Sequence, residues 1–210
     1  MKQFSDLIFI KDGALKLDFC EHAIQKFEDE GQSEPGGTGR FNTFNPTVKQ
    51  SYDLFISPDN GWGDEDSVFF ESLTACYDEY HKKCIAPVPG IPGYEKLWDR
   101  GYKIQRTIPG GFYHWHNDFG AGDERYEDFG ERLITFIWYL NDVDEGGYTE
   151  FMDGTKVQPK QGRICFFPCT WNYSHRGVPP VSGNKYICTG WLHSKVEKRK
   201  EDLNLSLIHI

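Results

Sequence analysis

Between residues 15 and 29, LKLDFCEHAIQKFED, the apolar side chains Leu15, Phe19, Ala23 and Phe27 recur at every fourth position, with Ile24 beside them. That spacing lines one face of an amphipathic helix. Asp18 is placed to cap it, with Glu21 three residues on. A second helix is expected over about 66–84, where Phe69, Phe70, Leu73, Cys76, Tyr77 and Tyr80 repeat at intervals of three and four. The run Ala86-Pro-Val-Pro-Gly-Ile-Pro-Gly93 cannot continue it. Residues 6–13 read as a short strand and turn. Residues 31–63 are rich in Gly, Ser, Asn and Pro and read as surface loops, interrupted by one apolar strand, Tyr52–Ile56. Beyond residue 97 the pattern becomes short β-type segments: Tyr102–Ile108, Phe112–Asp118, Arg132–Asn141, Gly162–Phe167 and Lys185–His193. Two helices followed by many strands predict a mainly β domain, a sandwich or closed barrel with N-terminal helices packed outside. At 210 residues one domain is expected. Residues 1–96 would support a core at 97–193, and 194–210 would form an extension whose end, LNLSLIHI, alternates like a strand.

Composition narrows the function. The formal net charge is -9, so a long-range attraction to phosphate backbones is missing and nucleic-acid binding is not expected. No apolar run reaches the roughly 20 residues that span a bilayer. The apolar stretch Leu7–Ile10 is too short for a secretion signal, and six cysteines are too few for a disulfide scaffold; free thiols and a cytoplasmic location are expected. The acidic run Asp123–Asp128 reads as a solvated loop or as a rim that prefers basic substrates.

The chemistry concentrates in Gly110-Gly-Phe-Tyr-His-Trp-His-Asn-Asp118. On a regular strand His114, His116 and Asp118 would share one face, with Tyr113, Trp115 and Asn117 opposite. His175 is a further candidate, and two imidazoles with one carboxylate are the ligand set of a non-haem Fe(II) site with open positions. Lys185, Ile187, Thr189 and Trp191 alternate along one strand and share a face. Cys165 and Cys169 lack the second pair that a tetrahedral zinc site needs.

Several ordered motifs carry a resemblance. His116-Asn117-Asp118, then His175, then Lys185 ten residues on; the strand Arg132-Leu-Ile-Thr-Phe-Ile-Trp-Tyr-Leu-Asn-Asp142; the turn Glu145-Gly-Gly-Tyr-Thr-Glu-Phe151; Val157-x-Pro159 with Gly162 and Phe166-Phe167; and Thr189 and Trp191 on the last strand. Together these resemble the prolyl 4-hydroxylase-like branch of the Fe(II)/2-oxoglutarate-dependent dioxygenases, over roughly residues 97–193. The resemblance implies a double-stranded β-helix (jelly-roll) core. It implies that His116, Asp118 and His175 hold Fe(II), that Lys185 pairs with the distal carboxylate of 2-oxoglutarate and Tyr139 donates to it, and that Thr189, Tyr113 and Trp191 line the pocket. Where related enzymes often have a Tyr, this chain has Arg106 and Thr107, with Gln105 or Tyr113 as substitutes. His114 would be a hydrogen-bond partner of a ligand or a substrate contact. The implied reaction couples oxidative decarboxylation of 2-oxoglutarate by O2, to succinate and CO2, with hydroxylation of a substrate C–H, ascorbate being a candidate reductant. The family-level substrate is a peptidyl proline, as in procollagen-proline 4-dioxygenases. Residues 31–45 would then be a lid over an extended peptide, and Trp115 or Trp138 would stack on the proline ring. A free amino acid or other small molecule is the alternative. A non-catalytic cupin-like metal- or sugar-binding β-sandwich is the alternative from another class. That pattern wants a Glu four or five residues after His116, where Gly120 and Ala121 stand.

Overall fold

The computed structural model describes residues 4–38, 43–87, 97–119 and 129–195. In chain order the strands are β1 (Phe9–Lys11), β2 (Glu34–Pro35), β3 (Gly37–Thr38), β4 (Thr43–Phe44), β5 (Tyr52–Ile56), β6 (Leu97–Trp98), β7 (Tyr102–Thr107), β8 (Tyr113–His116), β9 (Phe129–Tyr139), β10 (Thr149–Phe151), β11 (Lys156–Val157), β12 (Arg163–Pro168), β13 (His175–Gly177) and β14 (Lys185–Lys195). The helices are α1 (Leu17–Glu30) and α2 (Gly63–Tyr80), and α2 runs into a wider π-helical turn, His81–Ile85. The stretches 123–128 and 196–210 lie outside the described residues.

Both helices bury most of the predicted stripe: Ala23 and Phe27, with Cys20, on α1; Phe69, Leu73, Cys76 and Tyr80 on α2; Phe19 and Tyr77 are half-buried and Phe70 is exposed. Asp18 does not cap α1. Lys16 occupies the cap position in extended conformation without a side-chain bond, and Asp18 sits in the first turn, accepting from the Phe19 N–H at 2.8 Å. There its charge still suits the positive end of the helix. The 31–63 segment carries more structure than its loop composition suggests. β2 pairs with β5, and β3 with β4.

A large antiparallel sheet runs β1-β12-β9-β14-β7-β5-β2, with β6 added beside β14. A smaller one runs β11-β10-β13-β8. One face of the large sheet is covered by α1 and α2, the other by the small sheet: a jelly roll with helices outside. Alternation along the central strands divides the two cores. On β9, Ile134, Phe136 and Trp138 pack with Phe69 and Tyr102 on the helix side, whereas Ile137 and Tyr139 pack with Phe151, Val157 and Phe167 between the sheets. β12 does the same, Ile164 and Phe166 facing the helices, Cys165 and Phe167 the small sheet.

The turn between β9 and β10 depends on glycine. Gly146 holds φ 74°, and a Cβ there would lie 2.2 Å from the Pro179 carbonyl oxygen, so this position tolerates no side chain. All six cysteines are buried free thiols. Among the described residues no helix is long and apolar enough to cross a membrane.

Candidate metal centre and the pocket beside it

β8 pairs with β13 so that His116 faces His175 and Tyr113 faces Gly177. Three steps on β8 therefore match two on β13, which is a bulge. The extra residue breaks the expected alternation over 112–118. Tyr113 and His116 end on the same side, their rings stacked with centroids 3.5 Å apart. His114 is exposed and packs on Phe112 at 4.5 Å instead of joining the cluster. What it contributes is its backbone carbonyl, 2.8 Å from His116 Nδ1.

Asp118, just past the end of β8, comes between the two histidines. One ligand atom from each of His116, Asp118 and His175 lies within 4.8 Å of the others. His116 Nε2 is 3.9 Å from Asp118 Oδ1, and His175 Nε2 is 3.8 Å from Oδ2. These gaps are too long for hydrogen bonds. Each imidazole is instead fixed from behind, His116 Nδ1 at the His114 carbonyl and His175 Nδ1 at the Tyr173 carbonyl, 3.0 Å away. A carbonyl only accepts, so both Nδ1 atoms carry a proton and both Nε2 atoms face the gap. Burial, reinforced by His175, pushes His116 down to about 3, which keeps it neutral. Burial alone would raise Asp118, but His175 and His116 hold its carboxyl below the usual range. Two imidazoles with their Nε2 atoms turned to the gap and one carboxylate suit a divalent metal such as Fe(II).

The pocket beside this cluster is lined by the whole alternating set Lys185, Ile187, Thr189 and Trp191, and by Tyr113. Lys185 stands opposite Thr107 of β7, and Gln105 and Thr107 both reach the lining. Lys185 is 6% exposed, and burial pushes its amine down to about 8; no carboxylate pairs with it among the described residues. Tyr139 is not in the lining. It lies buried below, its ring 5.7 Å from Lys185 Nζ and its hydroxyl 2.8 Å from Thr149 Oγ1, which does reach the pocket. Thr189 donates to the Phe136 carbonyl at 2.7 Å. Trp191 Nε1 is buried without a hydrogen-bond partner among the described residues, and the Arg132 guanidinium stacks 3.8 Å above its ring.

Neither tryptophan considered for proline stacking reaches the pocket. Trp138 is wholly buried on the helix side, donating to Ser72 Oγ at 3.1 Å. Trp115 faces outward beneath Arg176. Sequence reasoning missed Lys49, Ser51, Thr135 and Thr149. Thr135 alternates with Ile137 and Tyr139 on β9, a signal that was there to be used. Lys49 arrives through an isolated bridge to Tyr113 that no local pattern announces. It is 2% exposed and bonds Asp53 at 2.6 Å, and Asp53 also holds Lys103 and Ser51.

Residues 102–193 match the model of the 2OG-Fe(II) oxygenase superfamily. Over these residues the chain resembles a 2OG-Fe(II) oxygenase core. The core is similar to prolyl 4-hydroxylase subunit alpha-1 of Gallus gallus, 34% identical over 109 residues that cover 46% of this chain and 21% of that protein. It is also similar to a putative prolyl 4-hydroxylase of Acanthamoeba polyphaga mimivirus, 30% identical over 107 residues, 44% of each. The chain thus spans about a fifth of the length of the first curated relatives it matches. In fold, the chain resembles the viral collagen prolyl hydroxylase of Paramecium Bursaria Chlorella virus-1, solved as a 2OG complex. The TM-score is 0.65 at 23% identity over 90% of this chain and 96% of that one. A prolyl hydroxylase from Trichoplax adhaerens, in complex with a peptide fragment of the hypoxia inducible factor oxygen degradation domain, gives a TM-score of 0.67 at 17% identity over 98% and 89%.

Proposed function

We propose that this chain is an Fe(II)- and 2-oxoglutarate-dependent oxygenase of the prolyl 4-hydroxylase type, which hydroxylates a peptidyl proline and releases succinate and CO2. The observation that carries this reading is the convergence of His116, Asp118 and His175 beside a pocket in which Lys185 is buried without a carboxylate. When bound, Fe(II) would supply O2 activation coupled to decarboxylation of 2-oxoglutarate. The chain's own work is positional. His116, Asp118 and His175 would hold the metal at the edge of the pocket they help to line. Lys185 takes the distal carboxylate of 2-oxoglutarate, Thr189 and Ile187 flank it, and Tyr139 orients Thr149 toward the same end. Tyr113 walls the pocket against His116. For a peptide, the unpaired Trp191 Nε1 and the Arg132 guanidinium above it are donors for a backbone carbonyl. The buried free thiols support a reducing, cytoplasmic setting, and ascorbate fits as the outside reductant.

The test is incubation with Fe(II), 2-oxoglutarate and a proline-rich peptide library, with and without ascorbate. Peptides should gain one oxygen atom in step with succinate, and Asp118→Ala should do neither. Undiminished turnover by that variant, or succinate with no oxidised peptide from any member of the library, would overturn the reading.

A further inference from the structure

Asp118 follows the last residue of β8 by two positions, so no strand ladder fixes it; its anchor comes from elsewhere. Thr135 of β9, 1% exposed, places Oγ1 2.7 Å from Asp118 Oδ2 and 3.2 Å from Cys169 Sγ. A carboxylate only accepts, so the threonine proton is committed to Asp118. Its oxygen then has a lone pair for the cysteine, and the thiol must be the donor. The order is S–H to Oγ1, then O–H to Oδ2. Cys169 is itself held, its N–H donating to the Leu133 carbonyl at 2.9 Å, and it too is 1% exposed. Burial raises its thiol far above the ordinary range, in keeping with a permanent donor.

We infer that Cys169 and Thr135 form a positioning relay that engages one oxygen of Asp118 and leaves Oδ1, the oxygen facing His116, as the metal ligand. The inference rests on the oxygenase reading above. With Oδ2 engaged, Asp118 offers one oxygen rather than two, so more positions stay open for 2-oxoglutarate and O2. Among the described residues no hydrogen bond reaches Oδ1; Thr135 is part of the pocket lining and Cys169 is not.

The experiment is an anaerobic titration of the full chain with Co(II) and with Fe(II), read by visible absorption and calorimetry, together with the charge-transfer band of the Fe(II)·2-oxoglutarate complex and a urea curve. Thr135→Val should weaken metal binding about 10–100-fold and shift the band, and Thr135→Ser should restore both to within about twofold. Cys169→Ala should weaken binding about 2–10-fold, Cys169→Ser should recover it, and in a Thr135→Val background Cys169→Ala should add nothing further. If Thr135→Val fails to fold by the urea curve, the same cycle runs on Thr135→Ala. Wild-type affinity and band in the Thr135 variant would overturn the relay, as would a Cys169→Ala effect of equal size in both backgrounds. A wild-type chain that binds neither metal would instead overturn the oxygenase reading.

Discussion

Tyr113 lies flat against His116, ring planes 16° apart, although an odd number of steps separates them on one strand. The bulge opposite Gly177 makes this possible, and His175 approaches His116 at 4.3 Å between centroids. The imidazole is therefore held by a ring, a carbonyl and a second imidazole. Stacked aromatic pairs contribute about 0.5–1.5 kcal/mol. Tyr113→Leu should weaken metal affinity about 2–10-fold, while Tyr113→Phe keeps it. An anaerobic Co(II) titration reads both, and equal affinity in the Leu variant would refute the role.

Lys185→Ala should raise the 2-oxoglutarate requirement a hundredfold or more, because removing the partner of a buried charge costs about 3–5 kcal/mol. Co(II) affinity should stay at the wild-type value. Steady-state titration of 2-oxoglutarate beside metal calorimetry separates the two; an unchanged requirement would place the dicarboxylate elsewhere.

The same lysine gives a pH dependence. Burial sets its amine at about 8 in the free protein, against 10.5 normally. Below pH 8 the cation is present and binds a dicarboxylate directly. Above it, binding must take up a proton, so affinity falls by up to about tenfold per pH unit. Calorimetry of 2-oxoglutarate binding at pH 7 and pH 9, in two buffers of different ionisation enthalpy, should show weaker binding and proton uptake at the higher pH. Equal affinities without uptake would mean that Lys185 stays charged across this range.

Trp191→Phe removes the unpaired buried donor but keeps the ring beneath Arg132. The peptide KM should rise about 2–10-fold, the size of one neutral hydrogen bond, with the 2-oxoglutarate KM unchanged. A matched rise in both constants would assign Trp191 to the cosubstrate.

Trp138→Phe should act on stability alone. Trp138 packs on Phe69 at 5.0 Å and Phe136 at 5.1 Å, away from the pocket. The smaller ring leaves a void and removes the bond that Ser72 accepts, a loss on the order of 1–3 kcal/mol. Urea unfolding should show it, with peptide kinetics unaltered. Altered peptide selectivity would bring Trp138 back into the site.

Much of this was legible from period and motif. Lys185, Ile187, Thr189 and Trp191 reach the pocket because β14 is regular there, so alternation alone places them. The helix stripes emerged for the same reason. What escaped needed a partner strand. Tyr113 changed sides through one extra residue in β8, a slip that exists only relative to β13. The Tyr139 hydroxyl meets Thr149, a bond that alternation along β9 does not announce. Asp18 has the chemistry of a cap, yet the helix begins one residue before it. Lys49 reaches the site by a pairing across more than sixty positions of chain.

The divided faces of β9 and β14 have a consequence for how such a protein can change. Odd positions of β14, from Lys185 to Trp191, line the pocket; even ones, Tyr186, Cys188 and Leu192, pack in the core with the helices. Selection on what enters the cavity and selection on folding thus act on interleaved letters of the same two segments. A new preference can be written on one set while the other goes on keeping the molecule intact.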